Sequence, residues 1–506
     1  KRPDEFGDFQ TPIGLAREVC ALIARTGFAP ASVLEPTCGT GSFLVASLEI
    51  FPSVQRALGF DINLQHLAQA RQAVAGIPTQ ASVEIRQANF FLTNWAEVVD
   101  GLPEPVLVIG NPPWVTNAAL GVLGSDNLPI KSNLDRLRGI DALTGKSNFD
   151  ISEWMLRKSI EWLDRKHGLL AVLCKTTVAR KVLAYAWQKG LRIGPAAIYI
   201  LNTRGYFSAS VDACFLLARS DSGGRSQESQ VFASLHANRP DRTFGLQDGI
   251  LVADIALYRK WRRLLASGFR GWRSGIKHDC QEVFELRAKD ENLVNGLGQA
   301  VEIESDKIFP LLKSSDLIRQ RSPRLWMIVP QRTMNDDPAR LRVDAPKLWN
   351  YLTAHAPLLR KRRSSVYRNR PPFSVFGVGP YSFAPWKVAI SGLHKKLEFV
   401  RVPPFQGRPV MLDDTGYLFP CWSEEESHLL YELVMSNPAR EFWSSLVFWD
   451  AKRPITAQIL NSLDLMALAQ FLGRGCAIAK LLAKRQIAGY PEDTQQGFLF
   501  GEEVTK

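Results

Sequence analysis

Up to about residue 219, short apolar runs alternate with amphipathic stretches. The runs ASVLEP, RALGFDIN, VEIRQAN, PVLVIGN, HGLLAVLC, AAIYIL and DACFLLA have the length and β-branched content of strands. Between them, GSFLVASLEIF, LQHLAQARQAV and the longer FDISEWMLRKSIEWLDRK place apolar positions at helical spacing. Strands and helices in alternation predict an α/β fold, a doubly wound and mainly parallel sheet with helices on both faces.

The polar, Ser- and Gly-rich segment SDSGGRSQESQ at 220–230 breaks this pattern and reads as a linker. It divides a first domain, 1–219, from a second, 231–490. The second mixes helical stretches such as ADIALYRKWRRLL with Pro-rich and aromatic segments of no clean period, which predicts a mixed α+β domain. The tail, 491–506, reads as flexible. At 506 residues the chain exceeds one ordinary core, in agreement with two domains.

Composition narrows the classes. Hydrophobic residues make up 46% and charged residues 22%, as in a soluble globular protein. No window approaches the roughly 18 to 20 apolar residues of a membrane span, and the opening KRPDEFGDFQTP lacks the apolar core of a signal peptide. A cytoplasmic protein is therefore expected. The seven cysteines and seven histidines are scattered without metal-ligand spacing, so reduced thiols and no metal are expected. Net charge is +12, and the residues beyond 220 hold 40 of the 62 basic but 31 of the 50 acidic side chains. That excess suits a partner with a phosphate backbone.

Candidate chemistry clusters at the strand ends of the first domain. In VLEPTCGTGSFL a strand is followed by Glu35, then by Gly39 and Gly41, then by a helix. Such glycines let the backbone pass close to a ligand at the carboxyl end of a strand in a Rossmann-like sheet. The spacing is not GxGxxG, and Glu35 would welcome a cofactor with a cationic centre and an amino acid moiety. The next strand ends in GFDIN, where Asp61 is placed to accept from two ribose hydroxyls and Ile62 to pack on an adenine ring. The third ends in QANFF, offering the Asn89 amide to the adenine edge and Phe90 to its face. The fourth ends in VLVIGNPPWV, a corner whose prolines stop both strand and helix.

In this order, PTCGTGSF, GFDIN, QANFF and GNPPW resemble the S-adenosylmethionine-dependent amino-methyltransferases, most closely the gamma class of DNA adenine-N6 methyltransferases of restriction-modification systems. DFQTP resembles the segment that closes over the methionine part of the cofactor, which adds Thr11 and, within the glycine turn, Cys38 to the implied cofactor contacts. KSNFDISEWMLRKSIEWL resembles the helix after the catalytic loop. GYFSASVDACFLLA resembles the hairpin that carries a base-contacting aromatic, here Phe207. The family usually has Tyr or Phe where this chain has Trp114, and often Asp where it has Asn89; Trp keeps stacking and Asn keeps a hydrogen-bonding edge. Cytosine-N4 enzymes usually begin the corner with Ser.

The corner has its own logic. An exocyclic base amine is a poor nucleophile because its lone pair is delocalised into the ring. Donation of its two N–H groups to the Asn111 side-chain oxygen and the Pro112 carbonyl frees that lone pair. A neutral amide accepts at lower desolvation cost than a carboxylate, and the prolines preorganise both oxygens. Trp114 would stack on the base, with Phe207 completing a sandwich. Such a base must leave the duplex, so base flipping is expected.

The second domain is expected to recognise the target. Its segment LLRKRRSSVYRNRPPFSVFGVGPYSFAPWKVAI groups Arg360, Lys361, Arg362, Arg363, Arg368 and Arg370 with Tyr367 and Trp386, a mixture suited to DNA. FPLLKSSDL, APWKVAISGL and DAKRPIT resemble segments of gamma-class specificity domains. The resemblance implies a bacterial or archaeal monomer acting on double-stranded DNA, with a separate cognate endonuclease or defence-system subunits as further partners. Three alternatives stay open: cytosine-N4 methylation of DNA, N5 methylation of a protein glutamine, and a non-enzymatic DNA-binding module that retains a cofactor fold.

Overall fold

A computed structural model of the chain describes residues 10–114, 151–207, 212–220, 224–266, 271–367 and 370–480. The chain forms two compact units that divide between Ala256 and Leu257.

The first unit follows the alternation in the sequence. Helix α1 (Ile13–Arg25) precedes β1 (Ser32–Glu35), α2 (Ser42–Ile50), β2 (Arg56–Asp61), α3 (Leu64–Ala75), β3 (Ser82–Gln87), α4 (Trp95–Asp100) and β4 (Val106–Gly110). Further along the chain come α5 (Ile151–Trp162), β5 (Gly168–Lys175), α6 (Thr176–Lys189), β6 (Ala196–Leu201), the short α7 (Thr203–Phe207) and β7 (Ala213–Ser220). The segments read as strands and helices in the sequence all form as such. The helices α1 and α6 were not singled out by the pattern. α1 buries Leu15, Ala16, Val19, Cys20, Leu22 and Ile23 along one stripe.

Strands β3, β2, β1, β4 and β5 lie side by side in parallel, and β7 runs antiparallel between β5 and β6. β1 and β4 are buried along their whole length, as a parallel strand covered on both faces must be. The edge strand β3 is half exposed and accordingly alternates polar residues. Because β1, β2 and β4 are parallel neighbours, their carboxyl ends, and the loops that follow, open at the same edge of the sheet.

The linker expected at 220–230 differs from the observed division. Three further strands, β8 (Glu228–Phe232), β9 (Arg242–Gln247) and β10 (Ile250–Val252), continue the same sheet beyond β6 to a total of ten strands. β8 pairs in parallel with β6, so the Ser- and Gly-rich stretch is a connection within one sheet rather than between domains. Its polarity reflects a surface loop, which composition alone does not distinguish from a linker.

The second unit has two smaller sheets. One contains β11 (Arg273–Ser274), β16 (Trp386–Ser391), β17 (Val400–Val402) and β19 (Gly416–Cys421) in the order β11-β19-β16-β17. The other contains β12 (Glu285–Lys289), β13 (Asn292–Val294), β14 (Ile308–Leu312), β15 (Leu325–Ile328) and β18 (Met411–Leu412) in the order β13-β12-β15-β14-β18. Pairing is antiparallel apart from β14 with β18. With helices such as Pro346–Ala354 and Glu424–Met435, this is the expected mixed α+β unit. None of the seven cysteines forms a disulfide, and six of them are buried. Among the described residues, no helix is long and apolar enough to cross a membrane.

Candidate active site

Glu35 is the last residue of β1 and is 2% exposed. A backbone N–H in the first turn of α2, that of Leu44, donates to its carboxylate, while Oε2 has no hydrogen-bond partner among the described residues. Burial, reinforced by the nearby Asp61 carboxylate, holds its pKa well above the usual carboxylate range. A buried acceptor of this kind is a place where a cation gains most.

The glycine turn beside it cannot be built from other residues. Gly41 caps α2 with φ +86°, and a Cβ there would lie 3.0 Å from the Ala70 Cβ, so both backbone and space demand glycine. Gly39 has φ +49° and lies under the Gln10 amide, whose Oε1 accepts from the Thr40 N–H at 3.0 Å. Cys38 is buried, and its N–H donates to the Phe60 carbonyl at 2.7 Å. Burial raises its thiol pKa, so the side chain is kept as the neutral thiol.

At the end of β2, Asp61 locks two loops together: Oδ2 accepts from the Gly39 N–H at 2.9 Å and Oδ1 from the Asn63 N–H at 2.8 Å. Each oxygen keeps a second lone pair for a ligand hydroxyl. Ile62, next in the chain, is 47% exposed, an apolar side chain left open at the strand end. After β3, the Asn89 side-chain oxygen accepts from the Phe91 N–H at 2.9 Å, so its amide NH2 is the part that can meet a ligand. Phe90 differs from expectation. It is 7% exposed and packs among Phe91, Trp95, Trp154 and Trp162, with ring centroids 5.0 to 5.9 Å away. Its ring is therefore core, and the sequence placed it on an adenine face because an aromatic after a strand end looks the same in either role.

The corner follows β4. Gly110 sits against the first strand, a Cβ there lying 3.7 Å from the Glu35 Cγ. The Asn111 Nδ2 donates to the Thr11 Oγ1 at 3.3 Å, Pro112 is buried, and Trp114 is 9% exposed within the main core cluster. Through Gln10 and Thr11, the segment before α1 thus touches both the glycine turn and the corner. Thr11 was expected only as a cofactor contact, and Gln10 was not singled out; neither has a sequence signal beyond the DFQTP resemblance. Phe207 ends α7, which Tyr206 anchors to α1 through a 3.0 Å hydrogen bond from its hydroxyl to Glu18.

The chain has known relatives. The chain is 40% identical over 471 residues to the type II methyltransferase M.NspV of Nostoc sp., covering 92% of this chain and 98% of that protein. The chain belongs to the type II methyltransferases of restriction-modification systems. Its methyl donor is S-adenosylmethionine. The fold is shared with the type IIL restriction-modification enzyme MmeI in complex with DNA, at TM-score 0.53 and 14% identity over 95% of this chain and 68% of MmeI. No protein-family model matches.

In the second unit of this methyltransferase, the basic run divides. Arg360, Lys361 and Arg363 are exposed. Arg362 lies across the Tyr367 ring at 3.9 Å and donates to the carbonyls of Leu359, Ser374 and His278. The Tyr367 hydroxyl donates to the Lys277 carbonyl at 3.0 Å, and Arg370 reaches the Met334 carbonyl at 3.4 Å. Trp386 is half-buried beneath the Arg401 guanidinium at 5.2 Å. These four fasten their own unit through these contacts, which the sequence run did not distinguish from contacts to DNA. Arg368 lies outside the described residues.

Proposed function

We propose that the chain is a sequence-specific DNA adenine-N6 methyltransferase that takes a flipped adenine at the Asn111–Pro112 corner. The observation that carries the reading is the Asn111 amide, tied through Nδ2 to Thr11 at the end of β4 and so presenting Oδ1 as the acceptor. The residues present suit the methyl donor. The buried Glu35 Oε2 fits its ammonium, the Gly39–Gly41 turn its amino acid chain, Asp61 its ribose, and Ile62 with the Asn89 amide its adenine. Bound there, S-adenosylmethionine supplies an electrophilic methyl group on a sulfonium.

The chain's own part is to position and polarise. Asn111 Oδ1 and the Pro112 carbonyl accept the two N–H groups of the target amine, which localises its lone pair for in-line attack. Held there, the amine nitrogen would take the methyl group from the sulfonium, leaving a neutral thioether, and would then shed one proton to solvent. Trp114 supplies the aromatic surface beside the corner, and Phe207 a second one by position. The exposed part of the basic run, Arg360, Lys361 and Arg363, fits phosphate contacts. Double-stranded DNA is the substrate, and a separate endonuclease is the expected companion.

The test is the product. Duplex DNA methylated by the purified chain and digested to nucleosides should contain N6-methyladenine, and 2-aminopurine at the target position should brighten on binding. N4-methylcytosine would overturn the adenine assignment, and unchanged 2-aminopurine fluorescence the flipping.

A further inference from the structure

The second unit contains a cleft of about 460 Å3. One wall is the loop between helix Ser314–Ile318 and β15, with Gln320, Arg321 and Pro323; the other follows β17, with Pro403, Pro404 and Phe405. Gln320 on the first wall is held in left-handed backbone at φ +48°, and so is Gln406 at φ +50°, the residue that follows Phe405 of the second wall. The second lip is a tight hairpin in which Phe405 and Arg408 exchange backbone hydrogen bonds of 2.9 and 3.0 Å around Gln406 and Gly407. Two prolines stiffen its approach. A non-glycine residue in this conformation costs about 1 kcal/mol or more and persists where the surroundings impose it, often at ligand contacts.

The side chains on these lips are exposed and unengaged. Arg319, Gln320, Arg321 and Gln406 are all exposed, and their side chains make no hydrogen bond or ion pair with any described residue. Their neighbours differ: Arg324 pairs with Asp316 at 3.4 Å, Arg401 with Glu424 at 3.0 Å, and Arg408 donates to the carbonyls of Ser305 and Ile308. An Arg fork matches the O6 and N7 edge of guanine, and a Gln amide the N6 and N7 edge of adenine. Unpaired cations beside them match the phosphates on either side.

We propose that the rims of this cleft, with Gln320 and Arg321 on one side and Gln406, next to Phe405, on the other, read base edges of duplex DNA and set the methylated sequence. The proposal rests on the reading of the chain as a site-specific DNA methyltransferase. The two prolines and the tight hairpin limit the backbone entropy lost on binding, while the reading side chains are still ordered by the contact.

The test expresses the full chain in cells without other DNA methylation and maps modified sites by long-read sequencing. Arg321→Ala, Gln320→Ala and Gln406→Ala should each relax the motif at one position, lowering discrimination there about ten-fold or more. Arg321→Lys keeps the charge without the fork and should relax the same position; restoration of the motif by Lys would reduce Arg321 to a phosphate contact and overturn its part. A motif unchanged in all the variants would overturn the proposal while leaving DNA methylation intact. A parent protein that methylates no DNA base would overturn the underlying reading as well.

Discussion

At the ends of β1, β2 and β4, the groups proposed to do chemistry sit within a residue of a buried strand, whereas the recognition candidates of the second unit sit on loops between short strands. The first arrangement makes position a consequence of topology: parallel neighbours bring Glu35, Asp61 and Asn111 to one edge however far apart they are in sequence. The second leaves each side chain's role to local partners. Arg362 and Arg363 are adjacent and chemically identical, yet one donates to three backbone carbonyls and the other faces solvent. A strand-end motif therefore fixes where its side chain stands, and a basic run does not.

The sharpest way to break the comparison lies at Glu35. Its carboxyl is held above the ordinary range, so the folded chain keeps that proton to higher pH than the unfolded chain does. That contribution to stability is complete below the unfolded pKa and is lost as pH rises through the folded one. Glu35→Gln should therefore leave the ligand-free protein at least as stable at neutral pH, while weakening cofactor binding about thirty-fold or more in calorimetry. Parental affinity should rise with pH as Glu35 ionises, and the Gln variant should be flat. A rise retained by the variant would assign the titration elsewhere.

A smaller effect is expected at the split basic run. Arg362→Ala leaves buried carbonyls without donors and should destabilise the protein by about 1–3 kcal/mol in urea unfolding. Arg363→Ala should leave stability unchanged, lower DNA affinity and flatten its salt dependence. Equal effects of the two on DNA affinity, with no change in stability, would erase the distinction between them.

The smallest concerns Thr11. Thr11→Val removes the oxygen that orients Asn111 and should lower kcat about five- to ten-fold, with Thr11→Ser close to parental. A fall in cofactor affinity that accounts for the whole loss would make Thr11 a cofactor contact alone.

Much of the first unit was legible because hydrophobic period and turn chemistry are local. Strand ends, the glycine turn and the Asn-Pro-Pro corner each lie within a dozen residues. What the sequence concealed was non-local. The β6–β8 pairing turned an apparent linker into part of a sheet, and aromatic packing drew Phe90 into the core. In the second unit, Gln320 and Phe405, the residue before Gln406, are 85 positions apart and line one cleft only through the fold.

The central claim is that a preorganised neutral amide makes the target amine reactive. It is tested most directly by radiolabelled methyl transfer into duplex DNA with Asn111→Ala, measured beside calorimetric cofactor binding. Transfer should fall by about 100- to 1,000-fold or more with cofactor affinity within a few-fold of parental. Transfer at the parental rate would contradict it.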